Sequence, residues 1–387
     1  MKKKIAILGS TGSIGKTTMD ILSQNKKNFE VVLLTSNKNI NEIIKQTKNF
    51  NVKNLIINDE KKYQYLKKKL KNKKINIYNN LDSINKIFKK KIDYCMCAIS
   101  GLAGLKSTLD MIKFSKTIAI ANKESLICGW NLIYRELNKN KTKFIPVDSE
   151  HFSIWSLLKG ANRLNVEKII ITASGGPFLN MPINKFNKIT PKSAIKHPNW
   201  NMGNKISVDS ATLMNKVFEV VEAQRIFNFN INKFQILTHP KSYVHAIIKF
   251  YNGLTKILIH DTNMRIPIIN SIYDGANINS KSKEINFKIL NNLDFKKVDK
   301  KKFPSIDILN YIPKKNTLFE TIIISANDEL VYLFLNGKIK FSEIVKKLIF
   351  ILKLKEFNKY KSISPKNFDE IKSLNNYVRL KVNSLCI

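Results

Sequence analysis

The sequence predicts an α/β protein: an N-terminal Rossmann-like parallel sheet, a central α+β region and a C-terminal helical bundle. Three observations lead there. A short apolar strand at the N-terminus runs straight into a glycine-rich turn and a helix. Apolar strand segments then alternate with helical ones as far as Val147, the pattern of a parallel sheet. From Pro304 onward the apolar residues recur at helical spacing. The composition shifts divide the chain into a nucleotide-binding domain at 1–147, a middle domain at 148–280 with a lid loop at about 193–204, a linker at 281–303 and a helical domain at 304–387.

Lys4–Leu8 is the first strand, and Gly9-Ser10-Thr11-Gly12-Ser13-Ile14-Gly15 leads from it into a helix over Lys16–Leu22. Glycines in such a turn let backbone N–H groups approach a pyrophosphate, and a helix N-terminus favours its charge. The spacing is G-x-x-G-x-x-G rather than G-x-G-x-x-G. Gly15-Lys16-Thr17 also matches the end of a P-loop, but Ser10 stands where that motif has its first glycine. The second strand, Phe29–Leu34, ends in Thr35-Ser36-Asn37-Lys38-Asn39, without the acidic residue that holds a ribose 2′-hydroxyl. A basic, amide-rich loop suits the 2′-phosphate of NADP; it is also the ordinary composition of a polar connection in a Lys-rich chain. Strands at Asn54–Ile57, Tyr94–Ala98 and Thr117–Ile120 continue the series. Asn122, Lys123 and Glu124 lie just past the last of these, on the ligand side of a parallel sheet, although Lys123 is equally one more surface lysine among many.

The apolar run Phe144–Val147 leads into Asp148-Ser149-Glu150-His151. Both carboxylates can reach one hard cation if the chain bends there. An isolated D-x-E is also what a solvated acidic turn looks like, so its neighbours must decide. Lys168–Ala173 is a β-rich run closed by Ser174-Gly175-Gly176-Pro177-Phe178, whose glycines and serine suit an oxyanion. In the polar connection Asn180–Asn204, His197-Pro198-Asn199-Trp200 reads either as a lid or as a loop pinned to the core by Trp200. Asp209-Ser210-Ala211-Thr212 is expected to open a helix with Leu213, Met214, Val217, Val220 and Val221 on its apolar face, placing Ser210 at a phosphate-favouring N-terminus. Asn215, Glu219 and Glu222 share another face, so Glu219 is a third carboxylate for the site or an ordinary solvent-facing glutamate.

Strands at Gln235–Leu237, Tyr243–Phe250 and Leu254–Ile259, with a hairpin turn at Asn252-Gly253, give the middle region its own sheet. Helices follow over Thr317–Leu335, over Glu343–Leu354 with Ser342 as its cap, and from Ser364-Pro365 to about Val382.

Composition narrows the function classes. Lys and Arg outnumber Asp and Glu by 67 to 29, a formal charge of +38. The lysines are dispersed among Asn and Ile without an aromatic stripe, which argues against specific nucleic-acid binding, while the field still attracts an anionic substrate. Cys95, Cys97, Cys128 and Cys386 have neither zinc-site nor disulfide-scaffold spacing and read as reduced thiols of a cytoplasmic enzyme. The four-residue apolar run Ile5–Leu8 is too short for a signal peptide, and no stretch reaches the roughly 20 apolar residues of a membrane span.

Read together and in order, seven segments resemble the 1-deoxy-D-xylulose-5-phosphate reductoisomerase family over essentially the full length: Gly9–Gly15, Ala121–Ser125, Pro146–His151, Ser174–Phe178, His197–Trp200, Lys205–Thr212, and Met214-Asn215-Lys216 with Glu219. The resemblance implies an NADPH-dependent, Mg²⁺- or Mn²⁺-dependent homodimer with a V-shaped protomer. Its activity is conversion of 1-deoxy-D-xylulose 5-phosphate to 2-C-methyl-D-erythritol 4-phosphate, in isoprenoid biosynthesis, by retro-aldol cleavage, recombination and reduction. It implies Asp148, Glu150 and Glu219 as metal ligands and Lys123 as an electrostatic or proton-relay group. Substrate contacts would come from Lys123, Ser149, Glu150, Ser174, His197, Ser210, Asn215, Lys216 and Glu219. Thr11, Gly12, Ser13, Ile14, Asn37, Lys38, Asn39, Asn122, Glu124 and Gly203 would face NADPH. Two departures stand out: Asn37 occupies a common glycine position, and asparagine tolerates a left-handed backbone better than most residues; Asp261-Thr262-Asn263-Met264-Arg265 replaces an acidic Pro-Asp-Met-Arg form.

Overall fold

Seven parallel strands form the first sheet in a computed structural model that describes residues 1–71, 74–200, 202–275, 278 and 283–386. The predicted lid loop, middle domain, linker and helical domain each include positions outside that set: 201; 276, 277, 279 and 280; 281 and 282; and 387. The strands are β1 (Lys3–Leu8), β2 (Phe29–Ser36), β3 (Asn54–Ile57), β4 (Asn76–Tyr78), β5 (Ile92–Cys97), β6 (Ser115–Ile120) and β7 (Lys143–Pro146), in the order β4-β3-β2-β1-β5-β6-β7. Their connections carry α1 (Ser13–Gln24), α2 (Ile40–Phe50), α3 (Glu60–Lys69), α4 (Ile84–Ile87), α5 (Gly104–Lys113) and α6 (Lys123–Asn140). The chain walks outward from β1 to β4 and returns to β5 beside β1. That reversal opens a crevice beyond the carboxyl ends of β1 and β5, where such sheets hold ligands.

Helices continue the sequence as α7 (Ser149–Leu157), α8 (Pro191–Ala194), α9 (Asn204–Ala211), α10 (Met214–Phe227), α11 (Arg265–Tyr273), α12 (Phe287–Leu290), α13 (Leu318–Leu335), α14 (Phe341–Leu352) and α15 (Phe368–Cys386). A second, mixed sheet has the order β11-β10-β8-β9-β12, from β8 (Val166–Ala173), β9 (Phe234–Thr238), β10 (Val244–Phe250), β11 (Thr255–Ile259) and β12 (Lys296–Lys297). The β10–β11 hairpin turns where Asn252-Gly253 predicts, with Gly253 at φ 85°.

The chain forms two compact units: Met1–Leu126, Leu132–Phe152 and Met264–Asn279 in one, and Ile127–Asn131, Ser153–Asn263 and Ser280–Ile387 in the other. Helix α11, although it falls within residues 148–280, packs in the first unit. Its Ile268 and Ile272 enter the core of the parallel sheet. Arg265 bonds Asp20 and Gln24 of α1 at 2.5 Å, and Tyr94 of β5 shares a 2.7 Å hydrogen bond with Ser271.

Several expectations change. α1 begins at Ser13, three residues before Lys16, and β4 is a three-residue edge strand too short to have shown a period. The acidic turn after the Phe144–Val147 run is the start of helix α7. Asp209–Thr212 closes α9 rather than opening a helix, and Leu213, at φ 60°, breaks the chain before α10 starts at Met214. Ser210 therefore sits in a last turn and not at an N-terminus. α10 is buried on nearly every side, Glu219 and Glu222 included, which removes the solvent-facing reading of Glu219. The segment expected to be a linker contributes β12 to the second sheet. α14 starts at Phe341, so Ser342 does not cap it: Glu343 accepts from the Lys340 N–H at 2.7 Å, and Ser342 donates to Asn187 instead.

Candidate active site

The nucleotide crevice is built by close backbone approach. Gly9, at φ 80°, ends β1 where a Cβ would stand 2.7 Å from the Ala98 carbonyl that follows β5. A Cβ on Gly15 would meet the Ser10 Cα at 2.5 Å, so α1 can start this close to the loop only with glycine there. Thr35 secures the turn: its hydroxyl accepts from the Gly9 N–H at 2.8 Å and its carbonyl from the Ser10 N–H at 2.9 Å. Sequence reasoning did not single out Thr35; a hydroxyl at a strand end was the one available signal. Thr11 and Ser36 hydroxyls pair at 2.9 Å, and Gly12, Ser13 and the half-buried Ile14 form the exposed entry to α1. Asn37, Lys38 and Asn39 are exposed beyond β2. Asn37 has no left-handed backbone; the Asp59 N–H donates to its carbonyl at 3.3 Å, and Asn39 caps α2 by accepting from Glu42.

Asn122 is buried and committed to structure. Its Oδ1 caps α6 by accepting from the Ser125 N–H at 2.7 Å, and its Nδ2 donates to the Ile99 and Gly101 carbonyls. Glu124, half-buried, lies in the first turn of the same helix. Lys123, the first residue of α6, reaches Asp148 Oδ2 at 2.9 Å, so it is a placed charge and not a free surface lysine. Asp148 Oδ1 accepts from the Glu150 N–H at 3.2 Å and faces His151 Nδ1 at 3.4 Å, which locks the carboxylate at the mouth of α7. Ser149 Oγ donates to Glu150 Oε2.

On α10, Asn215 Nδ2 donates to Glu219 Oε1 at 2.5 Å, and Lys216 Nζ pairs with Glu219 Oε2. Asp148 and Glu150, at the start of α7, and Glu219, on α10, each offer a carboxylate oxygen. Carboxylate donors, with no sulfur or imidazole among them, fit a hard divalent cation.

The Ser174–Gly176 loop follows β8. Gly175 and Gly176 have φ of 83° and 66°, and a Cβ on Gly176 would lie 2.8 Å from the Ser210 carbonyl, so the Ser174–Gly176 loop rests on the end of α9. Ser174 Oγ lies 3.0 Å from His197 Nε2 and accepts from the Gly176 N–H at 3.2 Å. His197 Nδ1 accepts from the Asn199 and Trp200 N–H groups at 3.1 and 3.0 Å. Nδ1 therefore carries no proton, Nε2 donates to Ser174, and the Ser174 hydroxyl proton is directed away from His197. Burial, reinforced by the Lys216 charge, pushes the His197 pKa down to about 4, so the ring is neutral at physiological pH. Asn199 donates to the Pro240 carbonyl at 2.6 Å and Trp200 meets the His245 ring edge-on at 6.2 Å, contacts that pin this segment. Gly203 caps α9 with φ −65°, which needs no glycine.

Three family models match the chain: 1-deoxy-D-xylulose 5-phosphate reductoisomerase over residues 5–129, its C-terminal domain over 144–227, and a DXP reductoisomerase C-terminal domain over 260–381. The chain is 60% identical over 387 residues, 100% of both chains, to the 1-deoxy-D-xylulose 5-phosphate reductoisomerase of Pelagibacter ubique (strain HTCC1062). It is 34% identical over 383 residues to that of Zymomonas mobilis, covering 99% of this chain and 97% of the relative. Among solved structures, the Zymomonas mobilis enzyme in complex with NADPH superposes with a TM-score of 0.89 at 32% identity, covering 100% and 99% of the two chains. A DOX-P reductoisomerase in complex with NADPH, fosmidomycin and magnesium gives 0.91 at 28% identity, covering 99% and 98%. Full-length similarity to these proteins, on a chain whose loops and carboxylates are arranged as above, means that it belongs to the 1-deoxy-D-xylulose 5-phosphate reductoisomerase family.

Proposed function

We propose that the protein converts 1-deoxy-D-xylulose 5-phosphate to 2-C-methyl-D-erythritol 4-phosphate, with NADPH and Mg²⁺ or Mn²⁺ as cofactors. The observation that carries this reading is the carboxylate pair at the mouth of α7, Asp148 and Glu150, with Lys123 set against Asp148; Glu219, held on the buried α10 by Asn215 and Lys216, is the third ligand of the proposal. When bound, the two cofactors supply a hydride and Lewis-acid neutralisation of charge on substrate oxygens.

The chain's own residues do the rest. Asp148, Glu150 and Glu219 hold the cation, and Lys123 places an ammonium where negative charge develops as the carbon skeleton rearranges. Ser174, Ser210, Asn215 and Lys216 bind the substrate phosphate; the neutral His197 ring fixes the Ser174 hydroxyl so that its proton donates outward. Phosphate binding anchors the reacting carbons, converting binding energy into orientation. Ser149 holds Glu150 in its ligand geometry. The Gly9–Gly15 turn takes the pyrophosphate of NADPH with Thr11, Gly12, Ser13 and Ile14. Lys38, flanked by Asn37 and Asn39, takes the 2′-phosphate. Asn122, Glu124 and Gly203 complete the cofactor contacts, Asn122 through the loop it clamps.

The proposed division of labour is nucleotide binding by residues 1–147, metal, substrate and dimer contacts by 148–280, and a helical domain at 304–387. Purified protein should oxidise NADPH when both 1-deoxy-D-xylulose 5-phosphate and Mg²⁺ or Mn²⁺ are present, followed by loss of the reduced-nicotinamide absorbance. A chelator should stop the reaction and either metal restore it. Turnover that survives chelation would sink the reading.

The proposed homodimer is supported by β11, an edge strand that pairs with β10 on one side and leaves Ile257 48% exposed. Sedimentation should give a species of twice the 44.6 kDa chain; a single-chain mass at micromolar concentration would exclude it. No helix among the described residues is long and apolar enough to cross a membrane. The four free cysteines support a cytoplasmic location, which cell fractionation would test.

A further inference from the structure

We infer that Asp209 and Asn327 are positioning residues that set Ser210 against Asn215 and Lys216, an inference that rests on the phosphate-binding role proposed above. Ser210 lies in the last turn of α9, so no helix N-terminus aims it; something else must. Its predecessor Asp209 is 1% exposed and occupies a place that the helix itself disfavours, a carboxylate beside the negative end of the dipole. Tertiary partners hold it there. Asn327 Nδ2, from the middle of the almost wholly buried α13, donates to Asp209 Oδ1 at 2.8 Å, and Lys205 Nζ reaches Asp209 Oδ2 at 2.9 Å. Lys205 also pairs with Asp328 at 2.9 Å, and Asp328 with Arg379 of α15 at 3.0 Å. A line of alternating charges thus runs from the C-terminal helices to the residue before Ser210.

The other side of Ser210 is held too. Leu213 is a buried leucine in the left-handed region, a conformation that persists only where its surroundings over-determine it. Ser305 donates to the Thr212 carbonyl at 2.7 Å, and Thr212 Oγ1 bonds back to the Val208 carbonyl at 3.1 Å. The turn between Ser210 and Asn215 is therefore clamped at both ends, with the Asp209–Asn327 bond as the clamp on the Ser210 side. Through that bond α13, which supplies none of the proposed substrate contacts, governs the spacing of groups that must meet one phosphate.

The test uses full-length Asn327→Leu, which keeps the branched four-atom shape of the side chain and removes the amide. The expected result is a KM for 1-deoxy-D-xylulose 5-phosphate raised about tenfold or more, kcat within about threefold of wild type, and unchanged NADPH affinity. Binding of inorganic phosphate, measured by calorimetry, should weaken in parallel. Asn327→Asp places a carboxyl against Asp209, with Lys205, Asp328 and Arg379 as the other charges of the line. A proton shared between the two carboxyls at low pH restores the bond. The ratio of its KM to that of wild type should then fall as pH is lowered from about 8 to about 6. This second variant decides the matter if Asn327→Leu does not fold. Wild-type KM and phosphate affinity in a folded Asn327→Leu, a pH-independent KM ratio for Asn327→Asp, or a proportional loss of NADPH affinity would each overturn the inference. Absence of any turnover by wild type would refute the proposed function instead. Phosphate calorimetry would then decide alone, with equal or undetectable binding by wild type and Asn327→Leu overturning the positioning role.

Discussion

Glu219→Gln is expected to lower metal-dependent kcat/KM by about 10³-fold, a loss of roughly 4 kcal/mol of transition-state stabilisation, while NADPH binds as before. The carboxylate is 1% exposed on a helix buried on nearly every side, so water does not substitute for it as a ligand. Glutamine keeps the shape and an oxygen that can accept from Asn215, but it carries no charge. It removes one of the three carboxylates of the proposed site and leaves the Lys216 ammonium without its ion-pair partner, so the remaining groups no longer favour a divalent cation. Titrating Mg²⁺ against turnover, with nicotinamide fluorescence reporting NADPH binding, checks both halves. Wild-type activity at ordinary Mg²⁺ in the glutamine variant would remove Glu219 from the site.

Arg225→Met should destabilise the protein by about 3–5 kcal/mol, because it strands a buried carboxylate. Arg225 NH2 meets Glu320 Oε1 at 2.5 Å, with side-chain exposures of 4% and 0%. The guanidinium also donates to the Lys314 and Pro313 carbonyls at 2.8 and 2.7 Å. Burial pushes the Glu320 carboxyl above its usual range, and Arg225 opposes that shift. Without the arginine the folded-state pKa moves further above the unfolded one. A group shifted that way is tolerated below the unfolded carboxylate range and costs stability as pH rises through its folded value. The gap between wild type and variant should therefore be widest near pH 8 and shrink toward acid. Urea midpoints measured across that range test the sign; a gap that widens on acidification would contradict it.

Much of the site was legible because its residues are local in sequence. The Gly9–Gly15 turn, the Asp148-Ser149-Glu150 step at a strand end and the Ser174–Gly176 loop each declare their chemistry within a few residues. Where the reading slipped, local pattern pointed the wrong way. Asp209-Ser210 looks like a helix start because aspartate and serine are good N-caps. They end a helix here because Asn327, more than a hundred positions away, holds the aspartate where local preference would not. Asn215, Glu219 and Glu222 recur with the spacing of a wet helix face, and spacing alone cannot tell a wet face from a buried one with its own counter-charges.

By itself the sequence determined the strand and helix alternation of the first sheet, its parallel sense and, through the motifs that carry the family resemblance, the residues proposed to bind metal, phosphate and nucleotide. These follow from apolar period and short motifs, which are properties of neighbours along the chain. Only the tertiary structure decided which distant groups neutralise which charges: Lys123 with Asp148 and Arg225 with Glu320. It alone returned α11 to the first unit and drew β12 out of an apparent linker. The physical reason is that burial sets the cost of an uncompensated charge, and burial is a property of the packed chain that no local window contains.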